Sequence, residues 1–370
     1  MIDVKQKSSA AHYAISCVIK MATRNKIIAS DLDYIVKQSL PWETFQGKTV
    51  LISGASGFLP SYMVETFIYL NEIYNLDIAI IGLVRDFEKA KRRFAHAHSL
   101  SCLTLIRQDI CQPIHIDKKI DFIIHAASHA TPKVFEVDPV GTILPNVIGT
   151  NNLLELGKRN LIDLFFYFST TGVHGFVKES DYPIKENCYG SLDPMKLSSC
   201  YLESKKMGEN LAVAWWHQHG VPIKVVRPAI TYGPGLNLHN GRSFEDFVSC
   251  IVNRKDIELY SDGSAIRNYC YIADAVFGFF TVFLKGKIGE AYSVATDHEI
   301  SIKDLAYYLV DDVFAERKLK VVMKKKPEKN YMRINYPRTT VDITKIKSLG
   351  WDLKFSLREG FIKTVESIEL

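Results

Sequence analysis

Thr49-Val-Leu-Ile-Ser53-Gly54-Ala-Ser-Gly57-Phe-Leu-Pro60 decides the fold. An unbroken apolar run of strand length passes into a turn with two glycines, then into a helical pattern from Ser61 to about Asn71. Such a strand, turn and helix place backbone N–H groups and a helix N-terminus around an anion. Gly54 suits the sharp turn and Gly57 the close approach of backbone to a pyrophosphate. Pro60 stands where a third glycine is usual, tolerated in a first helical turn because its missing N–H has no partner there.

Working outward, short apolar runs alternate with helix-length segments. The runs are Thr49–Ser53, Ile78–Val84, Leu103–Ile106, Phe122–His125, Leu164–Ser169 and Ile223–Val226. Uninterrupted apolar strands are what a parallel sheet needs when helices cover both faces. The pattern therefore predicts an α/β fold, a Rossmann-type doubly wound parallel sheet. After Pro228 the regularity breaks into Thr231-Tyr-Gly-Pro-Gly and mixed short elements. This predicts a helical extension over 1–46, with a helix start at Ser30-Asp31-Leu32-Asp33, then a dinucleotide-binding domain with the catalytic residues over 47–230. A smaller C-terminal α/β substrate-binding lobe follows over 231–370, the chain crossing back to the first domain near 265–285.

Composition narrows the classes. A chain of 370 residues with 47% apolar and 24% charged residues can bury a large core, and a net charge of +5 is too dispersed to argue for nucleic acid. The seven cysteines are scattered without a C-x-x-C pair, which reads as a reduced cytoplasmic protein without a structural metal. Ala10 to Met21 mimics a signal peptide but carries His12 and Lys20 and lacks a clear cleavage site. No apolar run is long enough to span a membrane.

The chemistry concentrates in Tyr201-Leu-Glu-Ser-Lys205. Four-residue spacing puts phenol and ammonium on one helical face, where a cation lowers a phenol pKa that is ordinarily near 10. That makes Tyr201 a workable base toward a sugar hydroxyl, with Lys205 also in reach of a nicotinamide ribose. Upstream, the strand end Ser169-Thr170-Thr171 opens hydroxyls onto the cleft, and Thr170 is the candidate to orient the reacting oxygen. After the second strand stands Arg85-Asp86. Arg85 suits the 2′-phosphate of NADP, whereas Asp86 suits the ribose of NAD, and both cofactors remain open.

In order and spacing, these segments resemble the extended short-chain dehydrogenases of the NAD-dependent epimerase/dehydratase family, over roughly 47–365. The resemblance is carried by Ser53-Gly54-Ala-Ser-Gly57-Phe58, Gln108-Asp109-Ile110, Ile124-His125-Ala126-Ala127-Ser128, Asn146-Val-Ile-Gly149-Thr150, Ser169-Thr170, Tyr201 with Lys205, Arg227-Pro228, Tyr232-Gly233-Pro234, Ile266-Arg267 through Asp274, and Leu349-Gly350-Trp351. It implies that Gly54, Ser56, Gly57, Phe58, Leu59, Asp109, Ile110, Ala126, Ala127, Ser128, Asn146 and Pro228 contact the cofactor. It also implies that Thr171, Arg242 and Arg267 hold a nucleotide-diphosphate sugar, the two arginines on the diphosphate, and that the chain is a homodimer.

Sugar 4,6-dehydratases of this family carry Asp-Glu after the catalytic threonine, and decarboxylases keep the glutamate. Here Thr171 and Gly172 stand in those places, and His174 replaces a usual tyrosine. Without the acids, the remaining set suffices to remove a hydride from a carbinol carbon and return it to the other face. The sequence thus points to a nucleotide-sugar epimerase. A 4-keto-sugar reductase, a decarboxylase or dehydratase, and a cofactor-binding protein without turnover stand as alternatives.

Overall fold

The computed structural model describes residues 24–97, 100–324 and 336–370. The signal-peptide-like stretch and the first half of the expected helical extension lie outside these residues.

The first described helix, α1 (Lys26–Val36), starts earlier than Ser30, because Asn25 caps it by accepting from the Ile27 and Ile28 N–H groups. Its face of Leu32, Ile35 and Val36 is buried in the main core. Two buried carboxylates fasten it: Asp31 accepts from Tyr271 at 2.7 Å and pairs with Lys363 at 2.9 Å, while Tyr34 donates to Asp274 at 3.0 Å.

β1 (Thr49–Ser53) is buried throughout and leads into α2 (Phe58–Tyr74). Pro60 is the third residue of α2, within the first turn, where its missing N–H costs nothing. β2 (Ala79–Val84), β3 (Leu103–Arg107) and β4 (Phe122–His125) follow, then α3 (Thr150–Asn160), β5 (Leu164–Phe168), α4 (Cys200–His219) and β6 (Ile223–Pro228). Beyond them come α5 (Ser243–Val252), α6 (Ile272–Lys285), β7 (Ala291–Val294) and α7 (Leu357–Glu369).

All seven β strands form one parallel sheet in the order β3-β2-β1-β4-β5-β6-β7. The chain starts at the sheet centre, winds outward to β3, and returns through β4 to the other side. The reversal between β1 and β4 opens a crevice at the strands' C-terminal ends, where ligands of such sheets bind. β7 is the strand the sequence pattern missed: four residues, Ala-Tyr-Ser-Val, carry too little apolar signal to stand out.

Alternation along β1 shows why both sheet faces must be covered. Val50 and Ile52 belong to one hydrophobic cluster and Leu51 to the other. Beyond β6, Ile230–Tyr232 pairs with Tyr269–Tyr271, Ile266–Arg267 with Ile300–Ser301, and Ile257–Leu259 with Val321–Met323. These short pairs wall the crevice from the C-terminal half. No described helix is long and apolar enough to cross a membrane.

Candidate active site

One cavity of about 1580 Å³ runs from the β1–α2 loop, over the ends of β2, β4 and β5, to the short strand bearing Arg267. Every site residue expected from the sequence lines it except Asn146.

At the β1 end, Gly54 has φ +69°, and a Cβ there would lie 2.7 Å from the Ala127 Cα. Only glycine lets these two backbones meet. Gly57 then caps α2, leaving the helix's first N–H groups facing the cleft.

A buried polar chain fixes the opposite lip. Thr150 donates to the Asn146 carbonyl at 2.6 Å, so His125 Nε2–H donates to Thr150 Oγ1 at 3.0 Å. Ser53 then donates to His125 Nδ1 at 2.8 Å and accepts the Ala126 and Ala127 N–H groups, each at 3.2 Å. Burial pushes the His125 pKa down to about 3, so the ring stays neutral and this sense of donation persists. The Ser128 and Ser169 hydroxyls line the cavity, buried and without a partner among the described residues. A glycine cradle, free helix N–H groups and unsatisfied hydroxyls fit a dinucleotide with its pyrophosphate at α2.

Tyr201 and Lys205 project from the first turns of α4. Thr170 hydrogen-bonds the Tyr201 phenol, and its Oγ1 also accepts from the Gly172 N–H at 3.2 Å. Contrary to the expectation that Lys205 lowers it, the phenol is raised to about 12 by burial, opposed by the Arg242 charge and by Thr170 and not by Lys205, whose own ammonium is desolvated. Lys205 is 2% exposed, donates to the Phe168 carbonyl at 2.6 Å, and sits 5.0 Å over the Tyr167 ring. Burial pushes its ammonium down to about 7.

Asn146 lies outside the cleft. It is fully buried, donating to Thr142 O at 3.0 Å and to Ser204 Oγ at 2.9 Å, and Ser204 in turn holds the Tyr201 carbonyl. It reaches the site through α4. His174 is likewise held away: it is buried, its Nδ1 donates to the Cys188 carbonyl at 2.8 Å, and it does not line the cavity. Burial and Arg227 push it down to about 4, leaving it neutral.

Arg242 donates to the Ala130 carbonyl at 2.5 Å and lies 3.8 Å from Glu245, a fully buried carboxylate. Arg267 bonds only the Ile266 carbonyl, at 2.7 Å, and has no acidic partner among the described residues. Burial lowers its pKa, the mark of a cation held in a partly dry wall.

Three contributors escaped the sequence reading. Phe135 stacks on the Tyr201 ring, centroids 5.0 Å apart and planes 13° apart. A methyl at Gly208 would overlap the Tyr167 hydroxyl and come within 2.8 Å of the Asn146 carbonyl, so this glycine sets how closely α4 approaches the sheet. Leu202 of α4 reaches toward Gly172, its Cδ2 2.6 Å from where a Cβ there would lie, while Gly172 itself still lines the cavity. Helical periodicity signals none of these, because each is a contact between distant segments.

The model of the NAD dependent epimerase/dehydratase family matches residues 50–295. The chain belongs to this family. It is an enzyme of nucleotide-sugar modification that depends on a nicotinamide dinucleotide. UDP-glucuronic acid decarboxylase 5 of Arabidopsis thaliana is 30% identical over 322 residues, 87% of this chain and 89% of the relative. Among solved structures, UDP-glucose 4-epimerase of Thermotoga maritima superposes with a TM-score of 0.71 at 21% identity, covering 87% of this chain and 98% of the other. UDP-glucuronic acid 4-epimerase of Bacillus cereus gives 0.69 at 22% identity, covering 87% and 99%.

Proposed function

We propose that this enzyme is a nucleotide-sugar epimerase. The observation that carries the reading is Gly172 on the cavity wall beside Thr170, which leaves no carboxylic acid next to Thr170 and Tyr201 for elimination of water. In this reading Tyr201, as phenolate, takes the proton of a sugar hydroxyl that Thr170 orients. The bound nicotinamide supplies the acceptor for the carbinol hydride and later its donor. Lys205 holds positive charge near the base and the ribose. Arg267 and Arg242 anchor the diphosphate, since a guanidinium fork matches phosphate oxygens. The anchored keto sugar then turns over, and Tyr201 returns its proton as the hydride arrives on the opposite face.

A second reading, decarboxylation, is supported by the curated relatives, which are named UDP-glucuronic acid decarboxylases. A ketone β to the carboxylate lets carbon dioxide leave without a strong acid, so Gly172 does not preclude it. Purified enzyme incubated with UDP-, dTDP-, GDP- and CDP-sugars decides between them. An epimer keeps its mass and changes a ring coupling in the proton NMR spectrum, whereas decarboxylation releases carbon dioxide. No conversion of any sugar in the panel refutes both.

The homodimer belongs to the same reading. Val140, Leu144 and Ile148 are 62%, 40% and 43% exposed and recur every four residues along the segment leading into α3. Met207 is exposed on neighbouring α4. This apolar face fits a second copy, and sedimentation of Leu144→Glu against the parent checks it.

A further inference from the structure

A largely buried carboxylate outside the cavity, Glu209, takes no part in the proton transfers. It stands four residues beyond Lys205 on α4, so Tyr201, Lys205 and Glu209 follow one another along a single face of the helix. Arg227 of β6 grips it with two parallel bonds: Nε donates to Oε1 at 2.9 Å and Nη2 to Oε2 at 2.7 Å. The remaining arm of the fork, Nη1, donates to the Glu186 carbonyl at 2.9 Å. The guanidinium is 4% exposed and the carboxylate 15%. A bidentate clamp of this kind fixes the direction of a carboxylate as well as its charge.

The groups that touch Lys205 do not balance its charge. Its Nζ meets the Phe168 carbonyl and the Tyr167 ring, both of β5, while His125 of β4 and the Tyr201 phenol are neutral. Glu209 is faced in turn by Arg227, by the Tyr167 hydroxyl and by neutral His174. Among the described residues it is the charge that counters the burial of Lys205. With burial holding Lys205 down at about 7, ammonium and amine are close to balance at neutral pH, and one neighbouring charge decides between them.

We propose that Glu209, clamped by Arg227, is a positioning residue for the reaction: it keeps Lys205 in its ammonium form beside Tyr201. The inference rests on the roles proposed for Tyr201 and Lys205 and is independent of which sugar reacts.

The purified full chain labelled with carbon-13 at lysine Cε tests it by NMR without turnover, the Lys205 signal being the one absent from Lys205→Met. Glu209→Gln keeps the shape of the side chain and removes its charge. The Lys205 midpoint is expected to fall by about one pH unit, a tenfold shift toward the amine. Glu209→Asp, which keeps the charge, is expected to restore most of the difference. The double variant Glu209→Gln, Arg227→Met leaves no unpaired guanidinium and should show the same direction of change. With a reacting sugar, the alkaline limb of the pH–rate profile should move to lower pH in Glu209→Gln and return in Glu209→Asp. An unmoved Lys205 midpoint in either folded charge-removing variant overturns the proposal and leaves Glu209 a structural partner of Arg227. Failure of every sugar to react refutes the epimerase reading and leaves the NMR result standing.

Discussion

Lys205 serves the chemistry in the proposed mechanism and is expected to be a burden on stability. Its ammonium is buried against a carbonyl and an aromatic face, and burial lowers its pKa from 10.5 to about 7 despite help from Glu209. Below pH 7 both folded and unfolded chains hold the proton, and the folded state bears the full cost. Between pH 7 and about 10.5 the unfolded chain keeps a proton that the folded one has shed, so this group's contribution improves as pH rises. At about 1.36 kcal/mol per pKa unit, the cost at low pH is about 5 kcal/mol as an upper bound. Lys205→Met removes the charge and keeps most of the volume, but strips the Phe168 carbonyl of its donor at about 1–3 kcal/mol. The variant should therefore be inactive yet more stable than the parent by about 2 kcal/mol at pH 6. That advantage should vanish, then reverse, toward pH 10. Urea unfolding of both proteins from pH 6 to pH 10 measures the difference directly. A stability difference that stays constant across this range would refute the reasoning.

Tyr201→Phe should lower kcat by about 10²- to 10⁴-fold with nucleotide binding intact, and retained turnover removes Tyr201 as the base. Phe135→Ala should admit water to a phenol whose pKa is raised chiefly by burial. The acid limb of the pH–rate profile then moves to lower pH and kcat falls, with Phe135→Tyr restoring both; an unmoved profile in Phe135→Ala shows that the stack does no chemical work. Gly208→Ala should destabilise the fold by about 1–3 kcal/mol in chemical denaturation, because the Tyr167 hydroxyl and the Asn146 carbonyl cannot both yield. Gly172→Glu restores one acid of the dehydratase pair while Thr171 keeps the place of the other, so it should yield no dehydrated sugar. A dehydrated product from that single variant contradicts the need for both acids.

Six strands of the sheet were legible because their apolar runs are dense enough to show locally, even where Thr104 interrupts edge strand β3 and Lys224 interrupts β6. β7 was not, because Ala291–Val294 owes its place to pairing with β6. The lining residues show the same division. Gly54, Gly57, Thr170, Tyr201 and Lys205 sit at fixed offsets from strand ends or within one helix turn, so spacing alone carries them into the cleft. Asn146 and His174 also stand at suggestive offsets, yet each is turned away by a bond to a distant segment, Asn146 to Ser204 and His174 to the Cys188 carbonyl. Phe135 acts in the opposite direction, lining the site from an unremarkable position, and buried Leu202 backs the wall at Gly172, because tertiary packing puts them there. The loss of the acid at 172 was visible in the sequence; that the end of Leu202 comes close to its place was not. Gly172 is partly exposed and lines the cavity, and only the flexible end of the Leu202 side chain crowds it, so the place stays open to the cleft. The missing carboxyl side chain, more than any packing around Gly172, therefore favours a reaction in which Tyr201 is the proton carrier.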